Sequence, residues 1–505
     1  MLQAGKDADS AEVQRWGEQL ASGLKAYEED VYQVTLEMFT AVLQNSGIEV
    51  KWQPIALGWR GETYRLMKRY EEALEDLNRA IELDPKFDWA IARRGETYRL
   101  MERYPEALED FDRAIELDPK SWAIASRGET YRLMERYPEA LEDFDRAIEL
   151  NPKSDWAIAN RGETYRLMER YAEALQDFDR AIELNPKSDW AIANRGETYR
   201  LMERYAEALQ DFDRAIELDP KSVVVITNRG KTYQSIKLYE EAIQDFDCAI
   251  ELHPKADWAI ASRGYTYHVM KRYEEALQDF DRAIEIYSKY AWAIASRGET
   301  YCSMKRYPQA LEDFDRAIEL NPKLDWAIAN RGETYRLMER YPEAIQDFDR
   351  AIELDPKYDW AIASRGQTYL MLKRYSEALA DFNCAIDLDS DSNWNLYNRA
   401  LAYQALNQPD KARADLALAI KLAKQHYEKD PQNWNNAFNL ALYYLAAQYN
   451  QPAEQLYRHV LSQGASLERT HAAIQDLNDF LTMFPNHVQA TSMRQLLQSS
   501  LTEVM

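Results

Sequence analysis

Residues 156–187 read WAIANRGETYRLMERYAEALQDFDRAIELNPK, and the chain repeats this stretch almost from end to end. Its Gly162 returns as Gly61, Gly95, Gly128, Gly196, Gly230, Gly264, Gly298, Gly332 and Gly366. The interval is 34 residues each time, except 33 between Gly95 and Gly128. An eleventh unit keeps the register with Ala400 in the glycine place. A fixed period of this length is that of a two-helix unit stacked into an array. One such hairpin cannot bury its own apolar face, whereas stacked neighbours share a continuous core.

The unit itself calls for two helices. Ser154 or Asp155 offers a side-chain oxygen to the free N–H groups at the start of the first. Ile158, Gly162 and Tyr165 then fall at i, i+4 and i+7 on one helical face. The pattern pauses at Glu169-Arg170 and restarts with Tyr171, Ala174, Leu175, Phe178, Ala181 and Ile182. In sister units a proline follows that tyrosine (Pro105, Pro138, Pro308, Pro342), which suits a first helical turn. Asn185-Pro186 ends the second helix, because proline cannot continue the ladder. Arg161 and Asp177 stand 16 residues apart and recur together in all eleven units, from Arg60/Asp76 to Arg399/Asp415. That separation places them on facing helices and predicts a structural ion pair.

On Gly162-x-x-Tyr165, Ala174-x-x-x-Phe178 and Pro186, the unit resembles a tetratricopeptide repeat. The resemblance runs from about Gln53 to Leu422. It departs in two places: Ile158 stands where the family has tryptophan, with the tryptophan moved to Trp156, and Arg161 replaces a family leucine. The resemblance implies an all-α, right-handed solenoid of helix–turn–helix repeats whose first helices line a concave groove for peptides. The family's clamp for a C-terminal carboxylate uses lysine and asparagine on that face. Ala159 and Glu163 hold those places here, so an acidic tail is not the expected ligand.

Three segments are expected: a degenerate N-terminal helical cap over 1–52, about eleven repeats over 53–422, and a degenerate repeat with capping helices over 423–505. In the cap, Gly23 takes the glycine place, and Tyr32, Leu36, Phe39, Val42 and Leu43 trace a second-helix stripe. Leu467 to Met483 and Val488 to Leu501 read as closing helices.

Charge narrows the partners. With 62 Lys and Arg against 86 Asp and Glu, the net charge of −24 argues against nucleic acid or an anionic membrane. No apolar run approaches the roughly 20 residues that span a bilayer. The opening MLQAGKDADS is polar, so the expected location is cytoplasmic. Cys248, Cys302 and Cys384 occupy arginine places of the repeat and form no C-x-x-C pair. No histidine spacing suits a metal, and no nucleophile–base pair is visible, so neither cofactor nor enzymatic activity is expected. Gly230-Lys231-Thr232 looks like the end of a phosphate loop, but Val225 stands where the loop needs glycine.

Trp156, Ala159, Glu163 and Arg166 share one face of the first helix. Stacking turns them into rows: Trp122, Trp156, Trp190, Trp258, Trp292, Trp326 and Trp360 in one, and the Glu163 and Arg166 places in others. Such a wall suits a protein or peptide segment carrying basic and apolar side chains. The Glu row alternatively pairs only with the arginine three residues on. The rows break at Val224, Lys231 and Gln234, then at Tyr265, His268 and Cys302, a second candidate patch. The expected function is a non-enzymatic interaction scaffold. Similarity to bacterial tetratricopeptide arrays implies a signalling or defence assembly. The alternatives are a regulatory subunit of a separate effector enzyme and a self-associating structural protein.

Overall fold

The computed structural model describes residues 31–44 and 52–502; Gly23 and most of the linker after Gln44 lie outside them. The regular elements among the described residues are α-helices, 27 in all. The chain divides into two compact units, Met1–His253 and Pro254–Met505. Each is a row of helical hairpins. The reference hairpin pairs Asp155–Leu167 with Tyr171–Leu184. Ser154 caps the first helix, accepting the Ala157 N–H at 3.3 Å. Pro105, Pro138, Pro308 and Pro342 each sit in the first turn of a second helix.

The turn between the helices has a conformation that the residue types do not advertise. Glu169 adopts φ 60°, in the left-handed region. The Arg170 N–H donates to the Tyr165 carbonyl at 2.9 Å and the Glu169 N–H to the Arg166 carbonyl at 3.0 Å. This is the crossed pair of bonds that closes a helix through a left-handed residue, a place usually taken by glycine. Here Glu, Lys, Asn or Gln fills it, from Lys68 through Glu339 to Gln448. A side chain there costs roughly 1–2 kcal/mol.

Burial explains the periodic residues. Ile158, Ala174, Phe178 and Ala181 are fully buried. Gly162 is required by close approach: a Cβ there would lie 3.2 Å from both the Asp177 Cβ and the Phe178 ring. In the eleventh unit the aromatic is replaced by Leu416, and Ala400 is accommodated, both residues being buried.

Arg161 does more than its 16-residue spacing predicts. Its Nε and Nη2 donate to the two Asp177 carboxylate oxygens, each at 2.7 Å. Its Nη1 donates to Asp145, on the second helix of the preceding hairpin, at 2.5 Å. One guanidinium therefore closes its own hairpin and ties it to its neighbour. The two-pronged pair recurs from Arg60–Asp76 to Arg399–Asp415. The backward bond recurs as Arg195–Asp179, Arg229–Asp213, Arg297–Asp281, Arg331–Asp315 and Arg365–Asp349, with Asn78 and Asn383 as acceptors for Arg94 and Arg399.

At the start of the N-terminal unit, Tyr32–Gln44 buries Leu36, Phe39 and Val42. In the C-terminal unit the hairpins run through Asn393–Ala405 with Pro409–Lys429, then Trp434–Ala446 with Asn450–Ser462. Leu467–Met483 and Val488–Thr502 follow.

Candidate functional site

The first-helix face of the N-terminal unit is less open than its stripe predicts. Trp156 and Trp190 are exposed, and Trp122 is half-buried. Ala159 and Glu163, by contrast, are buried. The Arg166 Nε and Nη2 donate to the Glu163 carboxylate at 2.8 and 2.7 Å. Arg65–Glu62 and Arg200–Glu197 repeat that geometry at 2.7 Å. Arg99 lies 2.8 Å from Glu96 and 3.3 Å from Glu129 of the next hairpin. The Glu row is thus a ladder of ion pairs to the arginine three residues on, the second of the two readings given for it. First helices lie side by side, so a stripe on one is partly covered by the next, and a covered carboxylate is held by a cation. Lys231 takes a glutamate place, where burial lowers its pKa and Arg200 lowers it further. It lies in the Val223–Ser235 helix, as does Thr232, whose hydroxyl donates to the Asn228 carbonyl; the phosphate-loop-like residues form no loop.

Near the start of the array an arginine of the chain itself lies on this face. The Arg93 guanidinium sits 4.6 Å from the Trp122 ring centre and 5.5 Å from that of Trp89. Its Nε is 3.7 Å from Glu62.

In the C-terminal unit Trp360 is exposed, while Trp258, Trp292 and Trp326 are half-buried. Trp292 meets Tyr265 at 5.7 Å and Tyr290 at 6.1 Å between ring centres. Tyr265 stacks on His268 at 5.9 Å. His268 Nδ1 is 3.0 Å from the Thr300 hydroxyl, and burial pushes the imidazole down to about 4. Of the expected patch, Tyr265 and His268 therefore come together, beside Trp292 of the Trp row.

The Leu467–Met483 helix, expected as a closing helix, docks where its residue pattern does not indicate. Ser466 caps it. It packs against the first helices Asp359–Met371 and Trp434–Ala446. Phe480 and Met483 share a small cavity with Arg336, Met371, Trp394 and Tyr397. Lys271, in the turn after the Asp257–Val269 helix, pairs with Glu468 at 2.6 Å. Burial pushes Asp476 up to about 7, Asp479 adding to the rise and Arg336 opposing it. The helix lies along the first-helix face of its own unit rather than only closing the end of the row. Its buried Ala473, Leu477, Phe480 and Leu481 follow helical spacing, which shows an apolar stripe but not the surface that takes it.

The tetratricopeptide repeat profile matches residues 54–87, 89–121, 122–154, 156–188, 190–222, 258–290, 291–324 and 326–358. Further profiles of the same description match 225–255, 348–380 and 395–426. The chain belongs to the tetratricopeptide repeat family. No curated relative matches it. Among solved structures it is similar to the APC/C hetero-tetramer Cut9-Hcn1, with 15% identity, 96% of each chain covered and a TM-score of 0.52. Yeast Tom70 aligns at 17% identity over 81% of this chain and 99% of that one, TM-score 0.43. A tetratricopeptide repeat protein from Parabacteroides merdae aligns at 20% over 50% and 99%, TM-score 0.42.

These repeats make the chain a protein–protein interaction scaffold by family. Among the described residues no helix is long and apolar enough to cross a membrane. No group of three or more His, Cys, Asp or Glu able to hold a metal occurs among them either.

Proposed function

We propose that this tetratricopeptide repeat protein is a non-enzymatic scaffold that holds a helical or extended partner segment against its first-helix faces. One observation carries the reading: in the C-terminal unit such a face already receives a helix, Leu467–Met483 of the same chain. The N-terminal unit offers the equivalent face with Trp156 and Trp190 exposed. Aromatic rings of this kind anchor interfaces, since they bury large area at low entropic cost. The net charge of −24 steers basic segments toward the chain, while the apolar rings set the dissociation rate. We place the scaffold in the cytoplasm, in a signalling or defence assembly beside a separate effector.

The test is affinity capture from native lysate with the wild type and with a Trp156→Ala/Trp190→Ala double variant, in low and high salt. The reading expects a partner that binds directly once purified, weakens as salt rises, and dissociates faster from the double variant at unchanged circular dichroism. Equal binding by the folded double variant would overturn it.

A further inference from the structure

Where the ladder of glutamate–arginine pairs is broken, it leaves one carboxylate without its cation. Glu62, Glu96, Glu163, Glu197 and Glu333 each have an arginine three residues on, within 2.6–2.8 Å. Glu299 has Cys302 there, and the preceding repeat offers His268 in place of its arginine. The Glu299 side chain keeps 30% of its surface exposed, against 10% for Glu163.

What faces Glu299 is a second acceptor. The Thr300 hydroxyl donates to the Ser296 carbonyl at 2.8 Å, so its oxygen takes the His268 Nδ1–H at 3.0 Å. That hydrogen-bond pattern assigns the tautomer and leaves a lone pair on Nε2, which lies 3.8 Å from Glu299 Oε1. A carboxylate and an imidazole lone pair thus converge, and the repeat's own arginine is replaced at both places by His268 and Cys302. Beside them, Tyr265 links the His268 ring to Trp292 and supplies an aromatic wall. The neighbouring Ser296 Oγ is buried without a hydrogen-bond partner. In a sister repeat the equivalent Ser126 bonds Glu96, but Tyr265 occupies that glutamate place here.

We propose that Glu299, His268 and Tyr265 form a notch for an arginine side chain of a partner segment. This deepens the scaffold reading and rests on it. A guanidinium presents a planar fork of N–H donors that satisfies the carboxylate and the imidazole nitrogen together, and its face stacks on aromatic rings. Arg93 shows the same chemistry within the chain, lying over Trp89 and Trp122 beside Glu62. Lysine, a point donor without a fork, fits less well.

The notch carries its own pH dependence. Burial raises Glu299 to about 7 and lowers His268 to about 4. Cys302 lies on the same helix, and Glu333 and Arg336 lie beyond it on the next first helix; Tyr358 also feels Glu299. A guanidinium binds the ionised carboxylate, so affinity rises with pH, about tenfold between pH 6 and pH 8 for one group titrating near 7.

The experiment is fluorescence anisotropy on the full chain with a fluorescein-labelled Gly-Leu-Arg-Leu-Gly peptide and its citrulline counterpart. Wild type is expected to prefer the arginine peptide about tenfold, the scale of one charge-assisted pair. Glu299→Gln is expected to erase the preference, and so is Cys302→Arg, which restores the internal guanidinium of the sister repeats. Equal or absent binding of both peptides to wild type, or a preference that survives in Glu299→Gln, overturns the notch. The scaffold reading fails separately, through the Trp156→Ala/Trp190→Ala capture experiment.

Discussion

Replacing Arg161 with alanine removes two bonds to Asp177 and one to Asp145, and the two losses differ in weight. The Arg161 and Asp177 side chains are 19% and 8% exposed. Asp145 is 53% exposed. Breaking a fully buried pair costs about 3–5 kcal/mol, because the surviving charge is left desolvated. Arg161 keeps some contact with water, so the lower end applies, about 3 kcal/mol for Arg161→Ala. Asp145→Asn removes a charge that water already screens and costs about 0.5 kcal/mol. Unfolding of a repeat array need not be two-state, so a global midpoint is the wrong readout. Hydrogen exchange followed by mass spectrometry measures the local opening. Tyr171–Leu184 has the same sequence as Tyr205–Leu218, so the opening is read on fragments that extend through Asn185, where the other repeat has Asp219. Arg161→Ala is expected to speed opening of Tyr171–Leu184 about a hundredfold, and Asp145→Asn only a fewfold. Equal effects from the two substitutions would refute the assignment of the Asp177 prong as the structural one.

Gly230→Ala places a Cβ 2.8 Å from the Phe246 ring and should destabilise its hairpin by about 1–3 kcal/mol, seen as lost exchange protection in Val223–Leu252. Glu169→Gly relieves a left-handed side chain and should stabilise its repeat by about 1 kcal/mol, seen as slower hydrogen exchange in the hairpin Asp155–Leu184. Docking of Leu467–Met483 should weaken as pH rises. Asp476 is held near 7 when docked, above the ordinary carboxylate value, so its favourable contribution is full below about 4 and is lost as pH rises through 7. Exchange protection of that helix, corrected for intrinsic rates, should be greater at about pH 5.5 than at pH 8, and Asp476→Asn should flatten the difference.

The periodic features were legible in the sequence because the same physical demand recurs. The glycine answers the phenylalanine in units from Gly95 to Gly366, and Arg161 answers Asp177, so spacing alone pairs them. The bond from Arg161 to Asp145 was hidden because it joins different units, where spacing says nothing about how they stack. The left-handed turn was hidden because Glu169 gives no glycine signal. Pairing of Glu163 with Arg166 was one of the two readings its spacing allowed; what spacing hid was the lateral packing of first helices that buries Glu163. Least legible was the docking of Leu467–Met483, a contact to residues as distant in sequence as Lys271 that no repeat pattern encodes.

The backward bond of each guanidinium has a consequence for how such a chain can change length. Between Trp122 and Pro220 each junction asks the incoming hairpin for an arginine and the outgoing one for an aspartate at a fixed place, and neighbouring hairpins there carry nearly the same residues. A gene segment encoding one whole unit can be duplicated or lost there, and the new seam finds both groups already in position. That stretch behaves as a ruler graduated in hairpins, which can gain or lose one graduation without rebuilding any joint within it.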